Sequence, residues 1–187
     1  HSLEMRHLLE DGRLRVSLRI ASECAGRMPV SIGFHPYYTI PNTHRDSWRL
    51  TLSARTHFEL NRNQIPTGST TPLEQSSVDV KTVDLDDVYS DLERNGDGEA
   101  HFELRSHDAS LEFGFGPQYK VAVVYAPQAR DFVCLEPMTA ITDALNLSRN
   151  GAGVELQSIE PGGSWVEEFW ILPSLTTHSS IHENAPV

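Results

Sequence analysis

The chain is poor in cysteine, with only Cys24 and Cys134 among its 187 residues, which rules out a disulfide framework and points to a reducing compartment, the cytoplasm. Cys134 lies inside an apolar run, where a buried, inert thiol is expected. Basic charge is also scarce: 15 lysines and arginines stand against 26 acids, for a formal net charge of −11. That removes the positive surface needed to bind a phosphate backbone, so nucleic acid is excluded as a partner. No apolar stretch reaches the length of a membrane-spanning helix, and no basic amphipathic segment offers a surface anchor. Neither a glycine-rich phosphate loop nor a G-x-S-x-G nucleophile elbow is present. The histidines and cysteines lack the spacing of a zinc site. A calcium-loop pattern counted from Asp91 fits loosely at Glu93, Asn95 and Gly96 but meets Phe102 where the closing glutamate belongs. A metal is therefore not expected. The Asn146-Leu147-Ser148 sequon has no secretory context to give it meaning.

A sustained helical period is missing as well, and what remains is strand pattern. Leu3, Met5 and His7 alternate with Glu4 and Arg6 as in a half-buried strand, so the chain opens within a sheet. Glu10-Asp11-Gly12 supplies a turn, after which Leu14, Val16, Leu18 and Ile20 alternate with Arg13, Arg15, Ser17 and Arg19. Further strand-like runs occupy residues 30–34, 48–53, 78–83, 100–105, 111–115, 121–126, 132–136, 154–159 and 165–172. Turn-rich pieces such as "NGDG" and "PGGS" separate them. Many short strands without a repeat or linker predict one antiparallel β-sandwich or barrel over residues 1–175, followed by a polar tail over 176–187.

Two of these runs end alike. In "VSIGFHPYY", an extended chain puts Ile32 and Phe34 on one face and Ser31, Gly33 and His35 on the other, with Pro36 ending the ladder. The imidazole then stands over small residues, leaving room for a ligand. In "FVCLEP", Glu136 shares a face with Phe132 and Cys134 before Pro137. A carboxylate leaving an apolar surface tends to a raised pKa unless a cation or donors hold it ionised. Each residue alone is more often a rim or satisfied group; together they describe an edge where an acid and a base could face one ligand. A third segment, "VDLDDVYSDL", alternates Val83 and Leu85 with Asp84 and Asp86, and by itself reads as a solvated acidic loop.

The motifs "GFHPYY" at 33–38, "LDDVY" at 85–89 and "VCLEPMTAITDALNL" at 133–147, in this order, resemble those of the aldose 1-epimerase (galactose mutarotase) family. The closing "IEPGGSWVEEFWI" at 159–171 resembles its last strands. The resemblance implies an all-β fold, a large antiparallel β-sandwich called the supersandwich, with a small-molecule sugar, a hexose, held over its concave sheet and no cofactor. It implies that His35 is the general acid, Glu136 the general base and Asp86 a ligand for sugar hydroxyls, with Asp87 as the alternative if the loop is offset by one. It also implies an isomerase that opens and recloses a hemiacetal.

The resemblance further carries the expectation that this chain is the C-terminal portion of the family pattern, because a histidine and an arginine usual in the family's N-terminal half have no counterpart. The N-terminal part of the sandwich is then expected to be missing, with association as a homodimer or with that missing segment. Thr142 stands where many galactose mutarotases have proline, so galactose is not singled out. Three other readings stay open. A hexose-6-phosphate epimerase would need cations at the site, where only Arg149 is close to the motifs. A non-catalytic sugar-binding sandwich is the second. Glycoside hydrolysis by Glu136 and Asp86 is the third, with a histidine in the acid's place arguing against it.

Overall fold

Alternating residues from two stacked sheets meet along one hydrophobic core. The computed structural model describes residues 1–149 and 156–175. Its strands are β1 (Ser2–Glu10), β2 (Arg13–Ala21), β3 (Met28–Val30), β4 (Tyr37–Tyr38), β5 (Arg49–Thr51), β6 (Ala54–Leu60), β7 (Pro66–Pro72), β8 (Ser77–Asp79), β9 (Leu85–Leu92), β10 (Ala100–Arg105), β11 (Ala109–Phe115), β12 (Val121–Ala126), β13 (Val133–Met138), β14 (Gln157–Ile159) and β15 (Ser164–Leu175). A seven-stranded sheet has the order β1-β2-β15-β11-β10-β5-β8, and a six-stranded sheet has the order β4-β13-β12-β9-β6-β7. Strands β14 and β3 form a separate pair. Every pairing is antiparallel.

The period of two decides which residues meet. Val16, Leu18 and Ile20 of β2, Phe113 and Phe115 of β11, and Phe169 of β15 are buried against Tyr89 of β9, Val124 of β12 and Leu135 of β13. Ring contacts join the same cluster: Tyr38 lies 4.6 Å from Phe113, and Phe34 lies 4.8 Å from Phe169. The all-β sandwich expected from the sequence is therefore the architecture of the described residues.

The expectation that the N-terminal part of the sandwich is missing is corrected here. Pairing begins at Ser2, and β2 already carries core residues, so both facing sheets and the core between them are built from the strands of this chain. The half-buried alternation read in β1 is also corrected: all nine of its residues are exposed. β1 is the edge of the larger sheet, and no described element covers either of its faces. The segment read as a loop around Asp86 is an inner strand, β9, in which Asp86 and Asp87 are followed by buried Val88 and Tyr89. One helix was not anticipated, α1 (Ala144–Arg149), because six residues are too few to display a helical period. Its Ala144 packs with Ile141, Val88 and Val121 on the outer face of the six-stranded sheet. The expected tail over 176–187 and the start of the 154–159 run lie outside the described residues.

A buried arginine ties this sheet together at the start of β9. The Arg45 guanidinium donates to the carbonyls of Val80, Val83 and Ala126, joining the segment before β9 to the end of β12. Charged donors to backbone carbonyls are among the stronger hydrogen bonds, and these sit in the interior.

Candidate active site

His35 and Glu136 occupy opposite places on neighbouring segments. β13 pairs with Tyr37 through Cys134, and an isolated bridge joins Gly33 to Met138 in the same register. That register sets His35 opposite Glu136, with Pro36 supplying no ladder donor between them. The segment carrying His35 is held beside β13 by other bonds: the Phe34 amide donates to the Pro137 carbonyl, and Thr139 both receives from the Ile32 amide and donates to the Ile32 carbonyl. The strand expected over residues 30–34 thus stops at Val30, and the rest is a strap tied along β13. Gly33 allows that approach, because a β-carbon there would lie 1.8 Å from the Met138 sulfur and 3.0 Å from the Pro137 carbonyl oxygen.

The two side chains meet: His35 Nε2 is 3.1 Å from Glu136 Oε1. Their exposures differ, at 52% for the imidazole and 8% for the carboxylate, so the acid sits within the sheet while the ring faces solvent. Burial pushes the Glu136 carboxyl above its ordinary pKa; His35 opposes that shift and the Asp86 charge adds to it. Cys134, two residues back on the same face, is fully buried, and its thiol is pushed up to about 12, first by burial and then by the Glu136 charge.

Asp86 belongs to the same face. It pairs across β9 and β12 with Tyr125, which in turn pairs with Cys134, while Val88 and Val123 continue the next row to Glu136. Two strand spacings, roughly 9–10 Å, separate the β9 and β13 backbones, with half-buried Tyr125 and Val123 as the floor between them. Asp87 falls on the opposite face, where it pairs with Val124 of the core, and burial raises its pKa while His57 lowers it. The register therefore gives Asp86, and not Asp87, to the face of His35 and Glu136.

Aromatic rings line one side of this face. His35 stacks on Tyr37 at 5.0 Å, Tyr37 meets Phe132 edge-on at 4.8 Å, and Phe132 tilts against Tyr125 at 5.9 Å. The sequence reading missed Tyr37 and Tyr125 as site residues. Their signal was the period of two: Tyr37 follows His35 by two positions, and Tyr125 shares the row of Cys134. It also missed a ligand cluster, because His35, Cys134 and Glu136 each offer one donor atom and all three atoms lie within 4.8 Å of one another. His35 comes from a segment remote in sequence, so no local spacing rule could reveal it.

Solved structures with this fold are numerous in outline but distant in sequence. A galactose mutarotase-like protein from Clostridium acetobutylicum superposes with a TM-score of 0.79 at 18% identity, over 92% of this chain and 55% of that one. A protein of Synechocystis sp. PCC 6803 gives 0.73 at 25% identity, over 93% and 55%. The GalM/aldose epimerase homologue from C. elegans gives 0.76 at 16% identity, over 94% and 60%. The chain thus spans between 55% and 60% of the length of these three proteins. Among the described residues, no helix is long and apolar enough to cross a membrane. A sequence model described as Aldose 1-epimerase matches residues 2–171. That match corrects the expectation of a C-terminal portion, since the family pattern is met from the second residue onward. With nearly all of its described strands inside the match, the chain belongs to the aldose 1-epimerase family.

Proposed function

We propose that the protein interconverts the α and β anomers of a free hexose, with Glu136 as general base and His35 as general acid. The observation carrying this reading is the pairing of a buried carboxylate with a half-exposed imidazole across one register, on a face that also presents Asp86. Glu136 takes the proton of the anomeric hydroxyl while His35 Nε2 delivers one to the ring oxygen. The bond between the anomeric carbon and the ring oxygen breaks, and the anomeric carbon becomes a carbonyl carbon. Rotation about the first carbon–carbon bond presents the other carbonyl face, and reclosure returns both protons. The two residue types suit their tasks. Burial makes Glu136 a stronger base than an exposed glutamate, and a His35 ring nitrogen stands 3.1 Å from it.

The sugar takes the place of the direct contact between His35 and Glu136, because its two reacting oxygens must come between the acid and the base. The exposed imidazole swings to admit it while Glu136 stays. Asp86 accepts hydrogen bonds from hydroxyls at the far end of the ring, and Tyr125 offers an aromatic surface to the ring's C–H bonds. A phosphorylated hexose fits less well: Glu136 and Asp86 are both acidic, and among the groups named around them only His35 can carry positive charge. Two unpaired cysteines suit a reducing compartment such as the cytoplasm.

Anomer-exchange NMR with a panel of hexoses and hexose phosphates tests the proposal. Faster exchange by the native protein and its loss in Glu136→Gln are expected, by about 100-fold or more. Sugar binding without faster exchange would leave a carbohydrate-binding sandwich in its place, and near-normal exchange by Glu136→Gln would remove the carboxylate from its assigned role.

A further inference from the structure

We propose that His35, Cys134 and Glu136 form a binding site for a thiophilic divalent cation such as zinc, and that its occupancy shuts down the acid/base pair. Three observations carry this. The donor atoms of the three residues lie within 4.8 Å of one another. In a tetrahedral zinc site, bond lengths of about 2.0–2.3 Å place ligand atoms roughly 3.3–3.7 Å apart, so closure needs a movement of about one ångström. The residue able to supply that movement is His35, whose imidazole is half exposed, whereas Cys134 and Glu136 are fixed two residues apart on one face of β13.

The donor set also selects the cation. A sulfur, an imidazole nitrogen and one carboxylate oxygen favour zinc, cadmium or cobalt over magnesium or calcium, which take oxygen ligands. On binding, the metal loses bound waters and gains bonds to Cys134 Sγ, a His35 ring nitrogen and a Glu136 oxygen. The S–H bond breaks and its proton passes to solvent, with no change of oxidation state. The metal then occupies the lone pairs that the proposed mechanism uses to move protons. The inhibitory half of this inference rests on the acid/base reading above, while the binding half stands on geometry alone.

Cobalt titration of metal-stripped protein provides the test, in a Cys24→Ser background because Cys24 is an exposed thiol. A thiolate-to-cobalt charge-transfer band saturating at one equivalent is expected. Cys134→Ala should abolish the band, and His35→Ala, at a half-exposed position that does not threaten folding, should weaken binding by at least about tenfold. Zinc should displace the cobalt and magnesium should not. Absence of the band, or a band that survives Cys134→Ala, overturns the site. In the same preparation, zinc at saturation should stop anomer exchange and a chelator should restore it. Full exchange with the site occupied overturns the inhibitory half. A protein that shows the band but never accelerates exchange bears out the metal site and overturns the acid/base reading instead.

Discussion

Gly33 and Met138 face each other across the strap and β13 with no room for a β-carbon: one built on Gly33 would lie 1.8 Å from the Met138 sulfur and 2.9 Å from its terminal methyl carbon. This close approach sets the register that brings His35 to Glu136. Gly33→Ala should push the strap outward, cost about 1–3 kcal/mol of stability as an overpacked contact, and lower kcat of anomer exchange by about tenfold or more through displacement of the imidazole. Much of the clash is with a flexible side chain. Gly33→Ala combined with Met138→Ala should therefore recover part of the activity lost in Gly33→Ala, and a double variant no better than the single one would show that the Pro137 carbonyl, 3.0 Å from the added carbon, sets the limit.

The pH dependence of anomer exchange follows from the burial of Glu136. As a base it must be ionised, and its pKa lies above the ordinary glutamate value. Activity should therefore fall on the acid side at a pH higher than an exposed glutamate would give. Because the reaction needs a proton donor as well as a base, the profile of kcat/KM should be bell-shaped. The Asp86 charge contributes to the raised value, so Asp86→Asn should move the acid limb to lower pH as well as raise KM. Polarimetry in the presence of a chelator measures both effects, and an acid limb unmoved by Asp86→Asn would remove the electrostatic link between the two carboxylates.

What the sequence disclosed depended on whether the signal was local. The alternation in β2 and in β13 is a property of consecutive residues, so both strands and the facing of Glu136 with Cys134 could be read directly. β1 shows the limit of the same rule. Its alternation is genuine, but an edge strand can carry the pattern with nothing packed on it. Strands β6 and β7 went unread because residues such as His57, Glu59, Thr70 and Thr71 offer little apolar contrast; β6 is placed by pairing with β9, and β7 by pairing with β6. Asp86 and Asp87 could not be separated from sequence, since only the register with Tyr125 and Val124 tells which of the two faces the site. The contact of His35 with Glu136 joins segments about a hundred positions apart, and no local pattern encodes it; the likeness of the motifs to a known family was what linked them.

Arg45 holds the start of β9 by donating to three carbonyls in the interior, with no carboxylate within ion-pair distance among the described residues. Arg45→Met should leave those carbonyls without their donor and cost about 3–5 kcal/mol, read by chemical denaturation. Lysine offers one compact ammonium in place of a planar fork and should recover only part of the loss. Because Val83 and Ala126 flank Asp86 and its partner Tyr125, the surviving folded fraction of Arg45→Lys should show a raised KM with kcat less affected. Equal loss in both parameters would mean that Arg45 supports the whole sheet and not the Asp86 row in particular.

Glu167 gives the stability of the sandwich its own pH dependence. It is a buried carboxylate of β15 that accepts from the backbone amides of Gln118 and Glu168, yet burial outweighs these donors and raises its pKa. A raised carboxyl pKa means that the folded state holds the proton more tightly than the unfolded state does. The contribution to stability is therefore fully present below the unfolded value of 4.5 and is lost as pH rises through the folded one. Glu167→Gln removes the titration, so the slope of unfolding free energy against pH should flatten between mildly acidic and neutral conditions. Gln118 marks the structural side of the same contact, because its amide reaches one carboxylate oxygen while the Glu168 amide reaches the other. Glutamine can accept at only one of these, so Glu167→Gln should also be less stable than the native protein in acid, where both forms are neutral, by about 1 kcal/mol. Urea titrations across that pH range separate the two effects, and parallel curves for native and variant protein would show that Glu167 does not titrate differently on folding.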